Sequence, residues 1–162
     1  MQPGLVVLAG LPGAGKSTLA RALADRLPDA RILDRDAVRD ALFDPADATA
    51  AERTVTFTAL LDATRYHLSR GRVVILDGVP FLRRHERGPL REVVADTGAF
   101  LAHVVCDVPV AVAEGRERDA DLVRRFAAEM EEPDGSYVTV DMTGALDRAA
   151  DEAFEYVVDC AR

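Results

Sequence analysis

Asparagine is absent from all 162 residues, glutamine occurs only as Gln2, and Lys16 is the one lysine, every other basic residue counted with it being arginine. Without asparagine there can be no Asn-Lys-x-Asp motif for reading guanine. A water-orienting glutamine of the signalling-GTPase kind is excluded as well, because Gln2 precedes the first apolar run. The two cysteines, Cys106 and Cys160, lack CxxC or Cys/His zinc spacing and are expected to be free thiols. His67, His85 and His103 do not cluster, so a histidine-based metal site has no local support. No apolar run reaches the roughly 18–20 residues of a membrane helix, and no basic segment precedes the short N-terminal apolar run. The cytoplasm is therefore the expected compartment, with no membrane partner. A net charge of −8 opposes a surface for long nucleic acid, but leaves room for a small phosphorylated ligand in a local basic pocket.

The composition, 49% hydrophobic and 30% charged, is that of an ordinary globular chain, and the length fits one domain over 1–162. Short apolar runs, 5-LVVLA-9, 30-ARIL-33, 72-RVVIL-76, 99-AFLAHVVC-106 and 137-YVTV-140, read as strands covered on both faces. Helical patterns over 16–27, 48–70, 88–96, 109–118, 120–131 and 144–160 alternate with them. The alternation predicts an α/β fold of three layers, α/β/α, around a five-stranded parallel sheet.

Between the first strand and first helix lies 10-GLPGAGKST-18, which fits GxxxxGK[ST] at every fixed position. Gly10, Gly13 and Gly15 let the backbone curl so that its N–H groups point at phosphate oxygens, and Pro12 and Ala14 complete the turn. The helix start adds its positive end. Lys16 is expected to reach the β- and γ-phosphates, Ser17 to ligate Mg²⁺, and Thr18 to bond locally. Asp77, closing 73-VVILD-77, is the expected second Mg²⁺ carboxylate, with a turn or capping role as the alternative.

The second strand runs into 34-DRDAVRDALF-43, where a carboxylate leaving a parallel strand faces the crevice in which such sheets bind ligands. Asp36 can there accept a hydroxyl proton, with Arg39 on the same helical face, although Asp34 or Asp36 could instead cap the helix. Together GLPGAGKSTLARAL and LDRDAVRDALF resemble the small P-loop kinases related to polynucleotide 5′-hydroxyl kinases, zeta toxins and antibiotic phosphotransferases. The resemblance implies a P-loop NTPase fold with strand order 2-3-1-4-5, ATP and Mg²⁺ as cofactors, and Asp36 as general base. It further implies that Arg39 holds the acceptor and that a short helical lid, about 115–131, carries arginines to the phosphates. Arg116 and Arg118 are the lid candidates, with Arg124 and Arg125 behind them, while 139-TVDMTG-144 is expected beside the adenine.

The acceptor is expected to be the hydroxyl of a small molecule, nucleoside-like, sugar or antibiotic, touching Asp36, Arg39, the helix over 48–70 and the loop 78-GVPFLRRHER-87. Arg83, Arg84, His85 and Arg87 in that loop either bind an anionic acceptor or form a solvated helix start paired with Glu86 and Glu92. Phe43, Phe57 and Phe81 could stack on a sugar or base or lie in the core. Alternatives are a polynucleotide 5′-hydroxyl kinase, an adenylylsulfate-kinase-like enzyme (whose LDGDNVR element has glycine where this chain has Arg35), and an ATP-binding regulatory module with slow hydrolysis. The sequence leaves the oligomeric state open.

Overall fold

The computed structural model describes residues 1–45, 47, 49–78 and 84–162. Five strands, β1 (Gly4–Ala9), β2 (Arg31–Asp34), β3 (Val73–Asp77), β4 (Phe100–Asp107) and β5 (Tyr137–Asp141), form a sheet in the order β2-β3-β1-β4-β5. Every pairing is parallel, as the expected order requires. The helices are α1 (Lys16–Arg26), α2 (Arg35–Leu42), α3 (Ala50–Ser69), α4 (Arg84–Thr97), α5 (Val110–Arg116), α6 (Ala120–Glu129) and α7 (Leu146–Cys160).

The continuous apolar runs of the central strands follow from burial on both faces. All six residues of β1 are buried. Val6 and Leu8 pack with Ile75, with Leu19 and Leu23 of α1 and with Val157 of α7. Their neighbours Leu5 and Val7 turn to the opposite layer, against Leu60 and Leu68 of α3 and Leu90 of α4. Strand alternation thus sends successive side chains into two cores, neither facing water. Edge strand β2 has no fully buried residue.

Helix boundaries follow local chemistry where the signals are local. Thr49 and Glu52 form a reciprocal capping box at the start of α3. Helix α4 begins four residues before the predicted 88–96 segment, because a distant group satisfies its first turn. The Arg84 N–H donates to the Glu131 carboxylate at 2.7 Å, an acceptor supplied from 47 residues downstream.

The sheet topology places the C-terminal ends of β1, β2, β3 and β4 side by side. Asp34 and Asp77 are register partners at the ends of β2 and β3. Gly78 lets these two ends close: its φ is +79°, and a Cβ there would stand 2.8 Å from an Asp34 carboxylate oxygen and 3.3 Å from the Asp36 nitrogen. Among the described residues no helix is long and apolar enough to cross a membrane.

Candidate active site

The phosphate loop leaves β1 at Gly10 and enters α1 through Gly15, whose φ of +88° reverses the chain. Gly13 serves close packing as well as curvature, since a Cβ there would meet the Ala113 carbonyl oxygen of α5 at 2.6 Å. Gly10 and Ala14 are buried beneath the loop. Pro12, Gly13, Gly15, Lys16, Ser17 and Thr18 line a cavity of about 530 Å³. Lys16 Nζ donates to the carbonyls of Gly10 and Leu11 at 3.0 and 2.8 Å, which holds the ammonium inside the loop's curve. Burial lowers the Lys16 pKa from its ordinary value, and the Asp77 and Glu117 carboxylates pull it back up. Cys106 lies on the same side at the end of β4, and burial pushes its thiol up to about 12.

Three further groups face that cavity from other elements. Asp77, 4% exposed, ends β3 with its carboxylate accepting from the Gly78 N–H at 2.8 Å. Arg116 reaches in from the end of α5, its guanidinium 3.4 Å from the Met142 carbonyl. Asp36 comes from the first turn of α2. The capping question has a definite answer: Asp34 is the cap, accepting from the Asp36 and Ala37 N–H groups at 2.8 and 3.3 Å. The Asp36 carboxylate is thereby left to the cavity, 2.9 Å from Arg35 Nη2 and 3.3 Å from Arg39 Nη1.

A second cavity of about 660 Å³ adjoins the first, with Arg35 and Leu122 lining both. Arg39 opens onto it, with Phe57 of α3, His85 of α4 and Arg125 of α6. A third, about 290 Å³, lies beyond Arg116 and is lined by Asp141, Met142 and Gly144 of the turn after β5. It shares Gly15, Thr18 and Arg116 with the phosphate cavity. The three form a row: the turn after β5, then the phosphate loop with Asp36 and Asp77, then the Arg39 cavity.

Several expectations separate here. Arg118 is exposed and lines none of the three cavities. Arg124 is engaged by Glu114 and Asp121 at 2.6 and 3.0 Å, whereas its neighbour Arg125 faces the second cavity. Arg87, read as a loop cation, is 1% exposed and donates to the Glu131 and Glu132 carbonyls at 3.1 and 2.9 Å, pinning the chain that follows α6. Arg84 pairs with Asp134. Arg83 and Phe81 lie outside the described residues, and Phe43 is half-buried. Glu117, Arg35 and Thr56 line cavities without having been singled out from the sequence. Arg35 stood in view beside Asp36, but Thr56 carried no local signal.

The parallel layered sheet, its strand order and the loop cradling an inward ammonium define the class: a P-loop nucleotide-binding fold of the small-kinase type. The chain belongs to the AAA domain family (AAA_33), whose model matches residues 5–133. An adenylyl-sulfate kinase of Paraburkholderia xenovorans is 33% identical over 117 residues, 70% of this chain. The chain spans less than two thirds of the curated relatives it matches, 63% of that kinase and 34% of others. Among solved structures, the Mycobacterium tuberculosis APS kinase in complex with AMPPNP and APS superposes with a TM-score of 0.76, at 20% identity over 97% of this chain and 98% of that one. A gluconokinase from Sinorhizobium meliloti gives 0.75, at 24% identity over 97% and 93%. These likenesses establish the fold.

Proposed function

We propose that the protein transfers the γ-phosphoryl group of ATP to a hydroxyl of a small molecule. The row of three adjoining cavities carries this reading, because Asp36 faces the middle one beside Arg35, the wall shared with the next. A nucleotide with its base at the turn after β5 and its phosphates in the loop directs its last phosphate toward Asp36. The acceptor then enters from the Arg39 side.

Asp36 orients the acceptor hydroxyl and takes its proton, while Arg35 and Arg39 hold the carboxylate in place. Lys16 and the loop N–H groups meet the phosphate oxygens, and Arg116 approaches from α5. Preorganised donors of this kind are each worth a few kcal/mol, on the order of 10²–10³ in rate. The Ser17 hydroxyl and Asp77 carboxylate line one cavity and are the hard oxygen donors that would hold Mg²⁺. When bound, the ion would neutralise phosphate charge during the transfer.

Asp36→Asn is expected to abolish transfer and leave ATP affinity nearly unchanged, measured as labelled phosphate on the acceptor and by calorimetry with a non-hydrolysable ATP analogue. Loss of ATP affinity in that variant would make Asp36 a nucleotide-side residue. Acceptor-independent hydrolysis that the variant leaves untouched would favour the regulatory-module reading. The 33% identity with an adenylyl-sulfate kinase favours adenylyl sulfate as one acceptor to include in the assay.

A further inference from the structure

The second cavity is cationic within an acidic protein. Four arginines, Arg35, Arg39, Arg53 and Arg125, line it against one carboxylate, Glu86, although the chain carries a net charge of −8. Three of the four are already engaged, Arg35 by Asp36, Arg39 by Asp36 and Asp40, and Arg53 by an interaction of its own. Arg125 differs: it makes no ion pair or hydrogen bond among the described residues, while its neighbour Arg124 makes two ion pairs. It projects from α6, one turn beyond Asp121, beside Leu122 on the wall nearest the phosphate cavity.

An independent observation lies on α3. Thr54, Thr58 and Thr64 each return their hydroxyl to the carbonyl four residues back, at 3.0, 3.0 and 2.7 Å. Thr56 does not: it is 1% exposed, and its Oγ1 has no hydrogen-bond partner among the described residues. A buried hydroxyl without a partner is costly, and a helical threonine has a ready carbonyl within reach. Thr56 lines the cavity that Arg125 faces, with the Phe57 ring beside it. A hydroxyl left unpaired there, opposite an unpaired guanidinium, is what a polar ligand would complete.

Building on the phosphotransferase reading, we infer that the acceptor carries an oxyanion group (carboxylate, phosphate or sulfate) in addition to the hydroxyl it presents to Asp36. Arg125 takes the anion, Thr56 bonds a polar atom of the same molecule, and Phe57 and Leu122 pack on its carbon skeleton. Specificity then has a simple form: a neutral analogue forfeits the charge-assisted contact to Arg125, which stays exposed to water.

The test uses matched pairs, sorbitol with gluconate, glycerol with glycerate, and adenosine with its 5′-monophosphate. Each is titrated into the full chain saturated with a non-hydrolysable ATP analogue, and then assayed for transfer with ATP. The anionic member of at least one pair should bind on the order of 10–100-fold more tightly than its neutral partner, the range of a charge-assisted hydrogen bond. Arg125→Leu should erase that difference, Arg125→Lys restore part of it, and neither should change the KM for ATP. Thr56→Val should raise the acceptor KM without lowering the thermal midpoint, whereas a purely structural threonine would lose stability. Equal affinity within every pair, no binding of any anionic member, or a preference that survives Arg125→Leu overturns the inference. Transfer only to neutral members sinks the anion site and leaves the phosphotransferase standing. Tight anion binding without transfer does the reverse.

Discussion

Two aspartates two residues apart have separable roles at the start of α2, and exchanging them one at a time measures each. Asp34 accepts from the Asp36 and Ala37 N–H groups and supplies the side-chain cap of α2. The helix has no fully buried residue of its own, so its start depends on that cap more than on packing. Asp34→Ala removes the cap, at a cost of about 1 kcal/mol, and the negative charge at the helix start, worth at most about another 1 kcal/mol. For a chain of this length each kcal/mol shifts the unfolding midpoint by about 2–4 °C. Asp34→Asn keeps an equally good cap and should lose little. Asp36, with 48% of its side chain exposed, holds only ion pairs to Arg35 and Arg39. Half-exposed pairs are worth ~1 kcal/mol or less, so Asp36→Asn should barely move the midpoint. Its effect should fall on transfer, a loss of about 10²–10⁴ for a missing general base. Urea titration monitored by circular dichroism, paired with single-turnover transfer on the same preparations, reads both quantities. A larger stability loss in Asp36→Asn than in Asp34→Ala would refute the division of labour. Full transfer in Asp36→Asn would also refute it.

Two other predictions use two cysteines and two histidines that line none of the three cavities. Cys106, buried and held as a thiol by a pKa near 12, should resist an aromatic disulfide reagent at pH 8. Half-buried Cys160 should react, so one thiol titrates in the native protein and two in denaturant, and rapid labelling of both without denaturant would contradict the packing. His103, 3% exposed, is held down to about 4 by burial and then by the positive charges of Arg87 and Arg91. The unfolded chain binds that proton near 6.5, so stability should fall as pH drops from 6.5 toward 4. The loss is about 2 kcal/mol between pH 7 and 5. Burial and then the charges of Arg72 and Arg31 also lower His67, which adds a contribution of the same sign. Denaturant midpoints at pH 7 and 5 should therefore converge in His103→Leu, and an unchanged slope in that variant would assign the effect elsewhere.

The sheet and phosphate loop were legible because their signals are short-range and mutually consistent. Unalternating Val/Ile/Leu runs mean burial on both faces, and a strand-loop-helix sequence with fixed glycines has few other uses. The placement of Asp36 at the cavity needed only the end of a strand and the start of a helix. Tertiary partners decided the rest. Arg87 looks like any charged residue at a helix start, yet it is buried and donates to the carbonyls of Glu131 and Glu132, 44 and 45 residues away. Thr56 and Arg125 sit in unremarkable amphipathic stretches of α3 and α6, and what joins them is the angle at which those helices face one cavity. Arg124 and Arg125 are adjacent in sequence, yet a helix sends adjacent side chains about 100° apart. One therefore meets Glu114, while the other faces the cavity.

The lone lysine joins the two scales. In a chain whose other basic residues are all arginine, Lys16 Nζ lies within 3.0 Å of two loop carbonyls at once, inside the curve from Gly10 to Gly15. A planar guanidinium presents its donors as a broad fork, whereas an ammonium offers three donors from a single atom. Only the compact group can satisfy two converging carbonyls and still direct a third hydrogen at a phosphate oxygen. Outside the loop the same chain uses the fork, with Arg35 and Arg39 converging on Asp36 and Arg125 facing the second cavity, a geometry suited to flat, two-oxygen anions. The choice between the two cations thus follows the space each occupies: a narrow curve of backbone for the ammonium, and an open cavity for the broad guanidinium forks.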